Sequence, residues 1–204
     1  MKKYIISFTG RKLSVVRPLR PQFRNSTVPL ICSCKKRAAA ADELASKKGV
    51  LLFSVMLGTN DSAVRGPLGA PVHPVSYYTN VQAIVDALLD RYPKALVVLH
   101  RPTWYSPNTY NSSTYLAEGL KRLQSYSPML DKLVEHYAVT SPDRVFLGDT
   151  LAFDYFKENH LTHLIPESGQ AGTFYLHPNK SGARELGRFW SEAILRCLPG
   201  KMKK

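Results

Sequence analysis

The sequence predicts an α/β protein, a three-layer α/β/α sandwich around a mainly parallel sheet. Two observations carry that reading. Three short apolar runs, Leu51–Leu57, Ala95–His100 and Val145–Gly148, have the length and the Val, Leu and Phe content of buried strands. Helical patterns lie between them, and strands that alternate with helices run parallel through right-handed crossovers.

Each helix has its own signal. Thr79-Asn80-Val81-Gln82 reads as a capping box opening a helix whose inner face is Val81, Ile84, Val85, Leu88 and Leu89. It stops before Pro93. Residues 114–126 repeat Leu116, Leu120 and Leu123. Ser127-Pro128 starts a fresh helix with inner positions Leu130, Leu133, Val134 and Tyr137. Asp149 is placed to cap a helix running to about Asn159. A last helix, from about Asn179 to Cys197, turns Ala183, Leu186, Trp190 and Ile194 inward.

The 204 residues suffice for one domain with a real core. The net charge of +13 is unevenly placed. Residues 1–48 carry 12 Lys/Arg against 2 Asp/Glu, while residues 49–204 carry 16 against 13. This divides the chain into an atypical basic segment (1–48), a folded domain (49–198) and a basic tail (199–204). The basic segment lacks interleaved aromatics for base stacking, so it is read as a solvated arm and no nucleic-acid partner is expected. No apolar stretch is long enough to span a bilayer. The run Tyr4–Phe8 is too short for a signal peptide and Arg11-Lys12 follows at once, so none is expected. Cys32, Cys34 and Cys197 have no framework spacing and are read as free thiols. The compartment and the oligomeric state are left open.

Two loops carry chemistry. The run ending at Leu57 delivers Gly58, Thr59, Asn60 and Asp61 at the carboxyl end of a central strand, where α/β sheets gather their active groups. Late in the chain, His177 precedes Pro178, which pushes its backbone toward an extended conformation, and Asn179 is placed to cap the last helix. The imidazole is thereby held at a loop-to-helix junction.

Together, Gly58-Thr59-Asn60-Asp61 and His177-Pro178-Asn179 resemble the third and fifth blocks of the SGNH/GDSL hydrolase family, over roughly residues 50–197. The stretches "NDSAVRGPLGAPV", "LHRPTWYSPNTY" and "GTFYLHPNKSGA" look most like bacterial GDSL-type acylhydrolases acting on carbohydrate or lipid esters. The resemblance implies a flavodoxin-like sheet and a serine esterase that needs no metal or cofactor. His177 would be the general base and the Asn60 amide an oxyanion donor, while Asp61 would accept backbone N–H groups. Gly58, Thr59, Asp61, Trp104 and Tyr105 are the candidate substrate-binding residues. For "RPTWYSPNTY" the alternative is an ordered surface loop packed by its own aromatics.

Two of the family's blocks are not found. No Gly-Asp-Ser is present, and residues 11–48 contain no glycine, so the N-terminal part of the fold is expected to be incomplete. Ser7 and Ser14 are the serines nearest the expected place, and Ser7 is taken as the candidate nucleophile. The acid normally found three residues before the histidine is replaced by Phe174, leaving Asp149, Glu167 or a backbone carbonyl to orient His177. His160 and His163 form an H-x-x-H pair, read as exposed rather than as a metal site. The alternatives to an esterase are an inactive remnant of the fold and a carbohydrate- or acyl-binding module.

Overall fold

A computed structural model describes residues 39, 41–46, 51–66 and 70–198, and the backbone of residues 2–9, 12–16 and 49–50. Its centre is a five-stranded sheet in the order β2-β1-β3-β4-β5. The strands are β1 (Lys2–Thr9), β2 (Lys12–Val16), β3 (Gly49–Met56), β4 (Leu96–Leu99) and β5 (Val145–Leu147). Strands β1, β3, β4 and β5 are parallel, and β2 is an antiparallel edge. This is the flavodoxin-like order, except that β2 lies antiparallel beside β1, where a crossover would make it parallel. Residues 2–9, part of the basic segment by composition, form the strand between β2 and β3.

Seven helices are described: α1 (residues 41–45), α2 (Pro74–Arg91), α3 (Leu116–Ser125), α4 (Ser127–Thr140), α5 (Ala152–Glu158), α6 (His160–His163) and α7 (Lys180–Cys197). Alternation along the strands sorts the core into layers. Phe53, Val55, Val97 and Leu99 pack with Val81 and Val85 of α2 and with Leu130 and Leu133 of α4. Leu52, Leu96 and Val98 pack with Ile194 and Leu198 at the end of α7. All four residues of β4 are buried, so its sequence is apolar throughout instead of alternating.

Three helical expectations need correcting. α2 begins at Pro74, where His73 accepts the Val75 N–H at Nδ1 (3.3 Å). Thr79 therefore lies inside the helix, and its hydroxyl donates to the Val75 carbonyl at 2.8 Å. The buried stripe is Tyr77, Val81, Val85 and Leu89, one residue per turn, and Ile84 at its edge is exposed. In α7 the buried residues are Gly182, Phe189, Ala193 and Ile194, whereas Ala183 faces solvent. The reason is a second contact: the first half of α7 packs against Phe156 and Leu164 and its second half against the sheet. At α4, Ser127 makes no side-chain cap, although Pro128 occupies the first turn as expected. An antiparallel hairpin, β6 (Leu164–Gly169) and β7 (Gly172–Pro178), precedes α7. Pro166 and two glycines conceal it in the sequence.

One buried polar pair lies on the α7 side of the sheet. Ser54 and His100 are each 1% exposed, and the His100 ring stacks on Trp190 at 4.6 Å. His100 Nδ1 accepts the Asp149 N–H at 3.0 Å, so Nε2 carries the proton and donates to Ser54 Oγ at 2.9 Å. A general base needs the opposite polarity, so this serine–histidine pair is structural. Burial pulls the His100 pKa down to about 3.

In the unfolded chain this histidine titrates near 6.5, whereas the fold holds it neutral down to about pH 3. Its contribution is whole above pH 6.5 and is lost as pH falls toward 3, at up to about 1.4 kcal/mol per pH unit. A His100→Gln variant should lose less stability than wild type between pH 7 and pH 4. Parallel pH–Tm curves would show that His100 does not set the acid limb.

Candidate functional site

The carboxyl end of β3 is built around one glycine. Gly58 has φ +122°, a conformation that side chains rarely adopt, and a Cβ there would press on Tyr126 at 3.1 Å and Tyr77 at 3.3 Å. Those two rings stack at 4.1 Å and are pinned by their hydroxyls, Tyr77 to the Leu57 carbonyl and Tyr126 to the Val72 carbonyl. From this floor the chain makes one helical turn: the Ser62 N–H donates to the Gly58 carbonyl and Ser62 Oγ to the Thr59 carbonyl. Tyr105, fully buried, bonds Ser62 Oγ at 2.9 Å. Burial raises the pKa of the Asp61 carboxyl, and the Asp61 carbonyl accepts the Val72 N–H. Asn60 is half-buried, and its Oδ1 accepts the Tyr115 hydroxyl at 3.0 Å. With the carbonyl end of the amide occupied, the NH2 end is the one turned elsewhere.

The segment after β4 connects this turn to the hairpin. On one side, Thr114 exchanges backbone bonds with Val64 and Arg65, and Tyr115 reaches Asn60. On the other, the Ser106 N–H donates to the Tyr175 carbonyl at 2.9 Å, and Ser106 Oγ accepts the Tyr175 N–H at 2.8 Å. Asn108 donates to the Ala171 and Thr173 carbonyls, and the Tyr110 carbonyl accepts the Gln170 N–H. Trp104, 6% exposed, lies at 5.2 Å from the His160 ring and packs with Phe156 and Leu164. Trp104 and Tyr105 are thus both turned into the fold as packing residues.

His177 lies near the end of β7, and its Nδ1 meets Glu167 Oε1 at 2.9 Å and Oε2 at 3.0 Å. The Glu167 carboxylate also takes the His177 backbone N–H at 3.3 Å. This contact depends on a register irregularity. Glu167 pairs with Phe174 and Pro166 with Tyr175, but Leu164 pairs with Pro178, so two residues, Leu176 and His177, face the single Ile165. In an unbroken strand His177 would fall on the face opposite Phe174 and Glu167; the bulge brings it back to the Glu167 face. Because a carboxylate only accepts, Nδ1 carries the proton and Nε2 keeps its lone pair. The imidazole side chain is 60% exposed. Phe174, at the family's usual acid position, is 1% exposed.

The turn into α7 is fixed from behind. Asn179 Oδ1 accepts the Gly182 N–H at 2.9 Å and caps the helix as expected. The His163 carbonyl takes the Asn179 N–H at 3.0 Å, and a Cβ on Gly182 would overlap that same carbonyl. Both His163 nitrogens are occupied, Nε2 by Tyr155 and Nδ1 by Ser181. Among the described residues no group of His, Cys, Asp and Glu is arranged to hold a metal. The Asp149 carboxylate accepts the Leu151 and Ala152 N–H groups at the start of α5, the predicted cap, so Glu167 is the carboxylate that meets His177. By register Ser14, Ser7, Ser54 and Val98 form one row across the sheet, two residues short of the Thr9–Met56 level where β1 and β3 end. The side chains of Ser7 and Ser14 lie outside the described residues. The sequence reading missed Tyr115, whose partner is 55 positions away.

A Gly182→Ala change should cost about 1–3 kcal/mol, the usual penalty of overpacking. Urea denaturation would read it, and an unchanged midpoint would mean that the α6–α7 contact yields freely.

The model of the GDSL-like Lipase/Acylhydrolase family matches residues 32–185, a span that holds Asn60, Glu167 and His177 and begins after β1. Searches of curated proteins and of solved structures find no match. A parallel sheet ending in an Asn-bearing turn, a histidine before the last helix and the family match over most of the chain lead to one conclusion: the protein belongs to the GDSL-like lipase/acylhydrolase family, hydrolases of the SGNH type.

Proposed function

We propose that the chain is a serine esterase hydrolysing carboxylic esters of carbohydrate or lipid acyl groups, with Ser7 as nucleophile, His177 as base, Glu167 as its orienting acid and Asn60 as oxyanion donor. The carrying observation is the Glu167–His177 pair, with Nδ1 on the carboxylate at 2.9 Å. It leaves Nε2 as the basic nitrogen. In the reaction a serine hydroxyl attacks the ester carbonyl as Nε2 takes its proton. The Asn60 NH2 donates to the oxygen on which negative charge develops. The proton passes to the leaving alcohol, and water, deprotonated in turn by His177, releases the acid and restores the serine. No helix among the described residues is long and apolar enough to cross a membrane.

One observation favours a second reading, a binding module for an acyl or sugar group. Ser7 and Ser14 are level with the buried Ser54, below the strand tips at which Asn60 begins its turn. Labelling the folded chain with a fluorophosphonate probe and mapping the adduct separates the two. A labelled Ser7, lost in His177→Ala, establishes the esterase and its nucleophile; label on another serine keeps the esterase and moves the nucleophile. No label supports the binding module.

Given turnover of p-nitrophenyl acetate, Asn60→Ala should lower kcat by about 10²–10³-fold, and His177→Ala by about 10²–10⁴-fold. Glu167→Gln should lower kcat with KM little changed, since it removes the charge that holds Nδ1–H. An Asn60→Ala enzyme with wild-type kcat would refute the oxyanion assignment.

A further inference from the structure

Asn60 is useful to an oxyanion only if its amide presents nitrogen and not oxygen. The two ends of an amide are nearly the same size, so packing alone does not choose between them. A polar partner must do so.

We infer that Tyr115 is a positioning residue for the oxyanion donor: its hydroxyl, bound to Asn60 Oδ1, fixes which end of the amide faces the substrate. This rests on the esterase reading above. Three observations carry it. The Tyr115 hydroxyl lies 3.0 Å from Oδ1, and the residue is 3% exposed, so the bond forms away from bulk water. The backbone that delivers the ring is strained: the next residue, Leu116, has φ +54°, a left-handed conformation unfavourable for a leucine. The strain is held in place by the fully buried Thr109, whose carbonyl accepts the N–H groups of both Tyr115 and Leu116 at 3.2 Å. Tyr115 also stands edge-on to Tyr105 at 5.3 Å, and Tyr105 bonds Ser62 two residues beyond Asn60. The ring is therefore held between the turn it serves, through Asn60 and Tyr105, and a backbone bonded to Thr109.

Tyr115 touches no reacting atom and acts only through Asn60, so the decisive test is a double-mutant cycle. Tyr115→Phe keeps the ring and removes the hydroxyl. With p-nitrophenyl acetate it should lower kcat about tenfold, leave KM within about twofold, and slow fluorophosphonate inactivation in proportion. In an Asn60→Ala background the same change should have no further effect. An equal loss in both backgrounds would overturn the proposal, because it would show that Tyr115 merely supports the fold.

A second measurement does not depend on turnover. In chain labelled with 15N-asparagine, Tyr115→Phe should shift or broaden the Asn60 side-chain NH2 signals while leaving Asn108 and Asn179 unchanged. Unmoved Asn60 signals would overturn the proposal even if activity fell. If wild type neither turns over the ester nor takes the probe, the esterase reading fails, and the Asn60 signals still decide whether Tyr115 holds the amide.

Discussion

The site depends on a loop with hydrogen bonds on both flanks. Asn60 follows β3 and His177 sits on β7, 117 positions later in the sequence, and the two elements share no sheet. What relates them is the segment from Ser106 to Tyr115. Its early residues bond the hairpin through Ser106, Asn108 and Tyr110, and its late residues bond the β3 turn through Thr114 and Tyr115. Backbone groups make most of these bonds, so the arrangement tolerates side-chain change better than it would tolerate a change in loop length. The burial of Tyr105, Ser106 and Thr109 gives the loop the rigidity that a surface loop lacks. Its aromatic residues act as braces, which is why the composition that suggested a substrate wall belongs to the interior.

The fold was legible wherever hydrophobic periodicity was strong. The three apolar runs became β3, β4 and β5, and the helices between them follow the expected order. Boundaries were less legible where a weak local signal competed with a stronger one upstream. Thr79 and Gln82 have the spacing of a capping box, but Pro74 fits a first turn and carries the helix past them. The β6–β7 hairpin was hidden because its apolar residues share space with Pro166, Gly169 and Gly172, and its register contains a bulge. In the site, Asn60 and His177 stood out because each sits next to a structural break. Glu167 was one option among three and could not be selected, since its contact with His177 depends on that bulge. Tyr115 gave no signal at all.

His100 and His177 show how far environment governs chemistry. Ser54 and His100 are within hydrogen-bonding distance, yet a backbone N–H occupies the nitrogen that would otherwise carry the proton. His177 has the opposite arrangement, a carboxylate on Nδ1 and an exposed ring. The same residue type is a structural donor in one place and a candidate base in the other, and the difference lies in the group facing Nδ1.

A phenylalanine at position 174, with the carboxylate that meets His177 at position 167, has a mechanical consequence. Phe174 is free to enter the core, where burying a side chain of that size contributes roughly 1.5–3 kcal/mol. Glu167 and His177 meanwhile sit on two strands joined by the turn at Gln170-Ala171. Glu167 and His177 therefore belong to one hairpin, anchored to the body by the Phe174 ring and by its bonds to Ser106, Asn108 and Tyr110. Any rocking of that hairpin about its anchor would change the reach of the imidazole toward the β3 turn without breaking its bond to the carboxylate.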